Sequence, residues 1–247
     1  MRFAGKKVLV LGGSSGIGLA AACGFKAEGA RVVVTGRDEK KLARVAAETG
    51  MLAIRFDMGS VADTRSSIAK VAGELDGLDV LFVNAGIGGF AAIPAVTEGF
   101  WDSVHEVNLR GAFFAVQSAL PHLRDGGAIV ITGSIGSLLA LPGNVVYAAA
   151  KAGLRAVART LAVELLPRRI RVNVVSPGPT ETEIFKHGAN AEQIDALRST
   201  MQDAVPMKRM AEASEVARAV LFLASDEASF VTGVDFFVDG GCVELKA

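Results

Sequence analysis

The chain's one tyrosine, Tyr147, stands four residues ahead of Lys151 in the strongly helical run Tyr147-Ala148-Ala149-Ala150-Lys151. Residues four apart share a helix face, so the phenol and the ammonium project together. The three alanines between them leave room for a ligand. A free phenol has a pKa of ~10, and an ammonium a few ångströms away favours the phenolate by roughly 1–3 units. A phenol tuned in this way exchanges a proton near neutral pH. Taken alone, the pair reads better as an incidental Tyr/Lys pair on a helix. It is accompanied, however, by Ser134, thirteen residues before Tyr147 and just past the apolar run Ala128 to Thr132. A strand followed by a helix can set that hydroxyl opposite the phenol.

A second group of residues suits an anion. Gly12-Gly13-Ser14-Ser15-Gly16-Ile17-Gly18 follows the apolar run Lys7 to Leu11 and precedes a helical pattern. Glycines there allow a tight turn and bring backbone N–H groups close to a pyrophosphate at a helix N-terminus. A glycine-rich turn alone would only end a strand; its place between strand and helix points to a dinucleotide. The spacing is Gly-x-x-x-Gly-x-Gly, distinct from the commoner Gly-x-Gly-x-x-Gly. At the next strand end the chain reads Thr35-Gly36-Arg37-Asp38. Gly36 removes the acidic reader of a ribose 2′-hydroxyl, and Arg37 offers a guanidinium to a 2′-phosphate. NADP is therefore expected over NAD. Against this, Asp38 could take a hydroxyl contact, Ser15 adds no second positive charge, and Arg37 also reads as a solvated helix-start residue.

The elements that must position these groups alternate from the first residues onward. Strands are expected at Lys7 to Leu11, Arg31 to Thr35, Leu52 to Phe56, Val80 to Val83, Ala128 to Thr132, Arg171 to Val175 and Val234 to Val238. Helical patterns run near Gly18 to Glu28, Glu39 to Thr49, Val61 to Leu75, Phe100 to Leu123, Tyr147 to Leu166 and Ser214 to Ala224. Seven strands with covering helices make an α/β fold, a single Rossmann-type, doubly wound, seven-stranded parallel sheet that binds ligands outside its strand carboxyl ends. One dinucleotide-binding and catalytic domain over residues 1–247 is expected. Only Pro177 to Ala213 breaks the alternation, and a connection of that length is read as a substrate lid at about 179–210.

Composition excludes other roles. With 26 Lys+Arg against 26 Asp+Glu there is no net field to draw a polyanion, so neither nucleic acid nor a membrane is an expected partner. Lys6-Lys7 and the apolar residues after them imitate an export signal only until Gly12 interrupts the run. Cys23 and Cys242 lack zinc spacing and lie near opposite ends, which argues for a reducing, cytoplasmic setting without a disulfide framework.

With these motifs in place the chain resembles the short-chain dehydrogenase/reductase family from Lys7 to Gly241. The marks are Gly12-x-x-x-Gly16-x-Gly18, Asp57, Asn84-Ala85-Gly86, Asn108, Ser134, Tyr147-x-x-x-Lys151, Pro177-Gly178 and Asp239-Gly240-Gly241. The resemblance implies that Tyr147 is the general acid or base and that Ser134 stabilises charge on the substrate oxygen. It implies that Lys151 lowers the Tyr147 pKa and holds the nicotinamide ribose, with a cationic nicotinamide adding to the effect, and that Asn108 anchors a water linking Lys151 to solvent. For the cofactor it implies Gly12, Ser14, Ser15, Gly16, Ile17 and Gly18 at the phosphates, Arg37 at the 2′-phosphate, and Asp57 with Met58 at the adenine. Asn84, Ala85 and Gly86 would meet the adenosine ribose side, Tyr147 and Lys151 the nicotinamide ribose, and Pro177, Gly178, Thr180 and Thr182 the carboxamide. Leu11, Val83 and Thr180 depart from the family's usual residues, and the first two could weaken hydrogen bonds around the phosphate loop.

His105, His122 and His187 lack metal-ligand spacing and no metal is expected. Trp101 and Cys242 read as packing. Phe90, Ile93, Leu138, Leu139, Leu141, Phe185 and Met201 form an apolar wall suited to a hydrophobic or aryl ketone. The expected activity is hydride transfer between NADP(H) and a carbonyl or secondary alcohol, in a homotetramer. A 3-oxoacyl thioester reductase, with Arg168-Arg169 docking an acidic carrier, and a catalytically idle dinucleotide sensor stand as alternatives.

Overall fold

The computed structural model describes residues 1–182 and 191–245. Seven strands form the main sheet: β1 (Lys7–Leu11), β2 (Arg31–Gly36), β3 (Leu52–Arg55), β4 (Leu78–Val83), β5 (Leu123–Thr132), β6 (Arg171–Pro177) and β9 (Asp235–Val238). Their order is β3-β2-β1-β4-β5-β6-β9, and every pair is parallel. The Val- and Ile-rich runs follow from this, because a parallel sheet is covered on both faces. Leu9 and Leu11 of β1 enter one core with α3 (Val61–Leu75), α5 (Ala112–Ala119) and α6 (Val145–Glu164). Val8 and Val10 enter the other with α1 (Gly16–Ala27), α2 (Glu39–Thr49) and α8 (Ala213–Ala224). Successive side chains on a strand point to opposite faces, so five residues of β1 serve two cores.

The strand order reverses between β1 and β4, the switch point at which a doubly wound sheet carries its ligand crevice. Backbone bonds fix its floor: Asn84 and Ala85 N–H donate to the Leu11 carbonyl at 3.0 and 2.8 Å, and Gly12 and Gly13 N–H to Thr35 at 3.1 and 2.9 Å.

The structure corrects the expected elements in three places. The helix predicted over Phe100 to Leu123 is α4 (Glu98–His105), a π-helical turn over Glu106–Gly111, and α5. A side chain at Gly111 would put its Cβ 2.2 Å from the Met58 carbonyl, so only glycine lets the widened turn lie against that loop. Strand β5 starts at Leu123, pairing with Leu78, and a register shift absorbs the Gly-rich stretch before Ala128. Within Pro177 to Ala213 lie three regular pieces: β7 (Thr180–Glu181), α7 (Ala191–Ala204) and β8 (Ala211–Glu212). β7 pairs with β8 in parallel, and the Arg198 guanidinium forks onto Glu181 at 2.9 and 3.1 Å. Phe185 and His187 lie outside the described residues.

Candidate active site

The glycine loop after β1 is a cradle defined by close approach. Gly12 has φ +80°, which L side chains avoid, and a Cβ on it would lie 2.7 Å from the Ala85 backbone. A Cβ on Gly18 would fall 1.9 Å from the Gly12 carbonyl oxygen, so the first turn of α1 rests directly on the loop. Ser15 occupies the N-cap of α1 without a side-chain capping bond, leaving the first-turn N–H groups available to an anion. Asn84 ties the cradle to the neighbouring strand: its Nδ2 donates to the Gly12 carbonyl at 3.0 Å, and its Oδ1 accepts from the Thr132 hydroxyl at 3.0 Å.

At the tip of β2, Arg37 is exposed and makes no ion pair among the described residues. Asp38 is committed elsewhere: its carboxylate accepts from the Lys40 and Lys41 N–H groups at 2.9 and 3.1 Å and caps α2. A Cβ on Gly36 would meet the Ser14 hydroxyl at 2.8 Å, so these residues share one corner with Arg37. The Asp57 carboxylate caps its own turn through Gly59 N–H at 3.0 Å. The Met58 side chain is buried in the core, which leaves only its backbone for an adenine.

The second cluster lies past β5. Ser134 follows the strand end, and its hydroxyl accepts from the Gly136 N–H at 3.1 Å and is hydrogen-bonded to the Tyr147 phenol. Burial raises the phenol above its ordinary value, and the Ser134 bond lowers it by less. Lys151 is 3% exposed and donates to the Thr132 carbonyl at 2.7 Å. Burial alone brings its ammonium down to about 8. The Lys151 Nζ lies 5.7 Å from the Tyr147 ring centroid. In the chain by itself the phenol is thus not depressed, because the ammonium is turned to a carbonyl and both groups are desolvated.

Asn108 is buried inside the π-helical turn, a distortion found often at functional sites. Both ends of its amide bind Ile87: Nδ2 donates to the carbonyl at 2.7 Å and Oδ1 accepts from the N–H at 2.8 Å. The side chain is a clamp on the loop after β4, and Gly86 sits between it and Lys151. Beyond β6, Gly178 N–H donates to Val238 at 3.0 Å, and a Cβ there would lie 2.7 Å from Asp239 Cα. The Thr180 hydroxyl, buried, donates to the Gly178 carbonyl at 2.9 Å, and the Thr182 methyl lies against Gly16.

Two uncharged loops flank the cluster and are joined by the Ala91 N–H to Gly143 carbonyl bond at 2.9 Å. They expose Phe90, Ile93, Leu138 and Leu141. His105 instead stacks on Trp101 and binds its carbonyl; that tryptophan is exposed, and Cys242 is partly so, against their expected roles as packing. Arg168 is spent on Asp125 and on the Leu120 and Leu123 carbonyls. It lies past the far end of α6, a helix of 20 residues and so about 30 Å long, away from Tyr147 near its start. Arg169, next to Arg168, is exposed. Sequence reasoning passed over Asn144, which is buried beside Gly136 and donates to its carbonyl at 3.2 Å. Only its position three residues ahead of Tyr147 could have drawn notice.

A parallel sheet with a glycine cradle at its switch point and a Ser/Tyr/Lys cluster one strand further on defines a nucleotide-dependent oxidoreductase. Comparison with known proteins agrees. The protein-family model described as Enoyl-(Acyl carrier protein) reductase matches residues 12–243. The chain is 39% identical over 240 residues to the cyclic-di-GMP-binding biofilm dispersal mediator protein of Escherichia coli, covering 96% of this chain and 97% of that one. It is 37% identical to a 3-oxoacyl-acyl-carrier-protein reductase of Thermotoga maritima, covering 98% of this chain and all of the relative, 100%. A solved short-chain dehydrogenase from Burkholderia cenocepacia in complex with NADP superposes with a TM-score of 0.87 at 34% identity, covering 98% and 99% of the two chains. The chain belongs to the short-chain dehydrogenase/reductase family, oxidoreductases that use a nicotinamide dinucleotide. The residues present fit that cofactor, since the Gly12 and Gly18 cradle admits no side chain and the α1 N-terminus is uncapped. No helix among the described residues is long and apolar enough to cross a membrane, and none of their side chains group as a metal site.

Proposed function

We propose that the chain reduces a hydrophobic or aryl ketone with NADPH, or oxidises the corresponding secondary alcohol, with Tyr147 as general acid and base. The observation that carries this reading is the convergence of Ser134, Tyr147 and Lys151 beside the glycine cradle. The nicotinamide supplies or accepts the hydride when bound. Ser134 takes a bond from Gly136 N–H, which leaves its own proton for the substrate oxygen, where negative charge develops. Tyr147, protonated across neutral pH because burial raises it, delivers the proton to that oxygen. Lys151, near its midpoint at about 8, passes protons between the phenol side and solvent and holds a ribose hydroxyl. Asn108 keeps the Gly86–Ile87 backbone fixed beside it. Arg37, unpaired while Asp38 caps α2, supports the choice of NADP over NAD.

The substrate class rests on the uncharged loops bearing Phe90, Ile93, Leu138 and Leu141. The reading takes residues 1–247 as one catalytic unit with a lid at about 179–210, inside which the Arg198–Glu181 fork ties α7 to β7, acting in the cytoplasm as a homotetramer. A second reading, a 3-oxoacyl thioester reductase, is favoured by the Thermotoga maritima relative. NADPH oxidation against a panel of ketones, sugars and acyl thioesters decides between them. Fastest turnover of aryl ketones supports the proposal; fastest turnover of a sugar or an acyl thioester refutes the substrate class.

A further inference from the structure

Asn144 holds the first-residue position ahead of α6, where an asparagine ordinarily accepts a hydrogen bond from the N–H two or three residues on. Here it makes no such cap. Its side chain is 3% exposed and turns away from the helix, and its Nδ2 donates to the Gly136 carbonyl at 3.2 Å. The Gly136 N–H in turn donates to the Ser134 hydroxyl at 3.1 Å. A Cβ on Gly136 would sit 2.9 Å from Asn144 Nδ2, 3.3 Å from Ser134 Oγ and 3.8 Å from the Tyr147 ring, so this one glycine is surrounded by all three side chains. Glycine has the softest backbone of any residue, and the peptide units on its two sides turn independently unless something fixes them. Ser137 N–H, donating to the Ser134 carbonyl at 3.1 Å, and Asn144, through the Gly136 carbonyl, hold the one; the other carries the N–H that the Ser134 hydroxyl accepts.

We propose that Asn144 is a positioning residue for the reaction, giving up its helix cap to lock Gly136 so that the Ser134 hydroxyl keeps its proton directed at the substrate oxygen and the phenol. The forgone cap is the physical signature. Helix α6 loses a local bond worth about 1 kcal/mol, and a buried amide is spent instead on the carbonyl of the same glycine whose N–H the catalytic hydroxyl accepts. The inference rests on the reading of Ser134 and Tyr147 given above.

The test uses Asn144→Ser in the full chain. Serine is a good N-cap, so the start of α6 is kept, while its hydroxyl is too short to reach the Gly136 carbonyl. We expect kcat to fall about tenfold, a partial loss next to the 100- to 1,000-fold cost of removing an oxyanion donor outright, with KM for NADPH unchanged. Because Tyr147 is the only tyrosine, its ultraviolet phenolate titration reads the same change without substrate, and the midpoint should move upward as the Ser134 bond loosens. In a Ser134→Ala background the Asn144 substitution should cost nothing further. An unchanged kcat, or a lowered kcat with an unmoved phenol titration, overturns the inference, as does a full additional loss in the Ser134→Ala background. Should Asn144→Ser fail to fold, Asn144→Ala read by the same titration takes its place. Full activity of Ser134→Ala would instead refute the catalytic reading itself, which keeps the two failures distinct.

Discussion

Replacing Lys151 with methionine removes a buried charge, and the consequence for stability follows from the site. The ammonium is 3% exposed, and burial takes it from 10.5 to about 8. That gap of about 2.5 pH units corresponds to about 3 kcal/mol against the folded state whenever the lysine is protonated in both states. Methionine keeps the reach of the side chain and fills the same space, but it loses the bond to the Thr132 carbonyl, which costs about 1 kcal/mol. The net stabilisation is about 2 kcal/mol below pH 8, or roughly 4–8 °C in Tm for a chain of this size. Between about 8 and 10.5 the unfolded chain binds a proton that the folded protein has released. Wild-type stability therefore rises through that window relative to the variant, and the methionine advantage fades as the pH approaches 10.5. Thermal melts of both cofactor-free proteins at pH 6.5, 8 and 9.5, compared at equal pH, cancel every other titration. A variant less stable than wild type at pH 6.5, or a Tm gap independent of pH, would refute the reasoning. The stabilised variant should also be inactive, as expected where a site spends stability on function.

Three further outcomes are expected. Tyr147→Phe keeps the ring and removes the proton, so kcat should fall about 100- to 10,000-fold while NADPH binding, followed by cofactor fluorescence, stays within about twofold; retained turnover would sink the proton role. Arg37→Ala removes a charge-assisted contact of about 1.5–3 kcal/mol, raising KM for NADPH about 10- to 100-fold and leaving NADH kinetics alone; equal losses with both cofactors would return Arg37 to the solvated surface. Gly18→Ala places a Cβ 1.9 Å from the Gly12 carbonyl oxygen, so either the loop shifts and cofactor binding is lost or folding fails; normal titration with NADPH would contradict the cradle geometry.

The sheet was legible because its strands are short apolar runs bounded by glycine and charge, and all seven appear where those runs lie. What periodicity could not show was any element made by an exception to it. The π-helical turn at Glu106–Gly111 continues the apolar spacing of a plain helix, and only the approach of the Met58 carbonyl to Gly111 reveals why the turn must widen. The two-residue strands β7 and β8 are too short for a pattern; they exist because Ala211 N–H finds the Pro179 carbonyl at 2.9 Å, a pairing set in space across a long stretch of chain. In the site, Tyr147, Lys151 and Ser134 carry their chemistry in their side-chain types, so spacing sufficed to nominate them. Asn144 and Asn108 bind backbone groups of Gly136 and Ile87, and no spacing encodes which carbonyl a buried amide will meet. Met58 is the converse: the family pattern names the position, and burial of its side chain in the core leaves only its backbone for an adenine.

The charge state of the Tyr147 and Lys151 pair is where structure changes the chemical picture most. Spacing alone suggested a phenolate stabilised by an ammonium, that is, two charges. Burial pushes each group the other way, the phenol up and the lysine down to about 8, so at neutral pH the protein by itself holds a neutral phenol beside a lysine that is still mostly protonated but close to its midpoint. A neutral phenol is the form that can donate a proton, and a lysine titrating near 8 can replace it without leaving a stranded charge in the site. On the proposed reading, the same burial that destabilises the protonated lysine sets the pair for carbonyl reduction at neutral pH. Alcohol oxidation, which needs the phenol as base, should gain with rising pH through the range where Lys151 loses its proton.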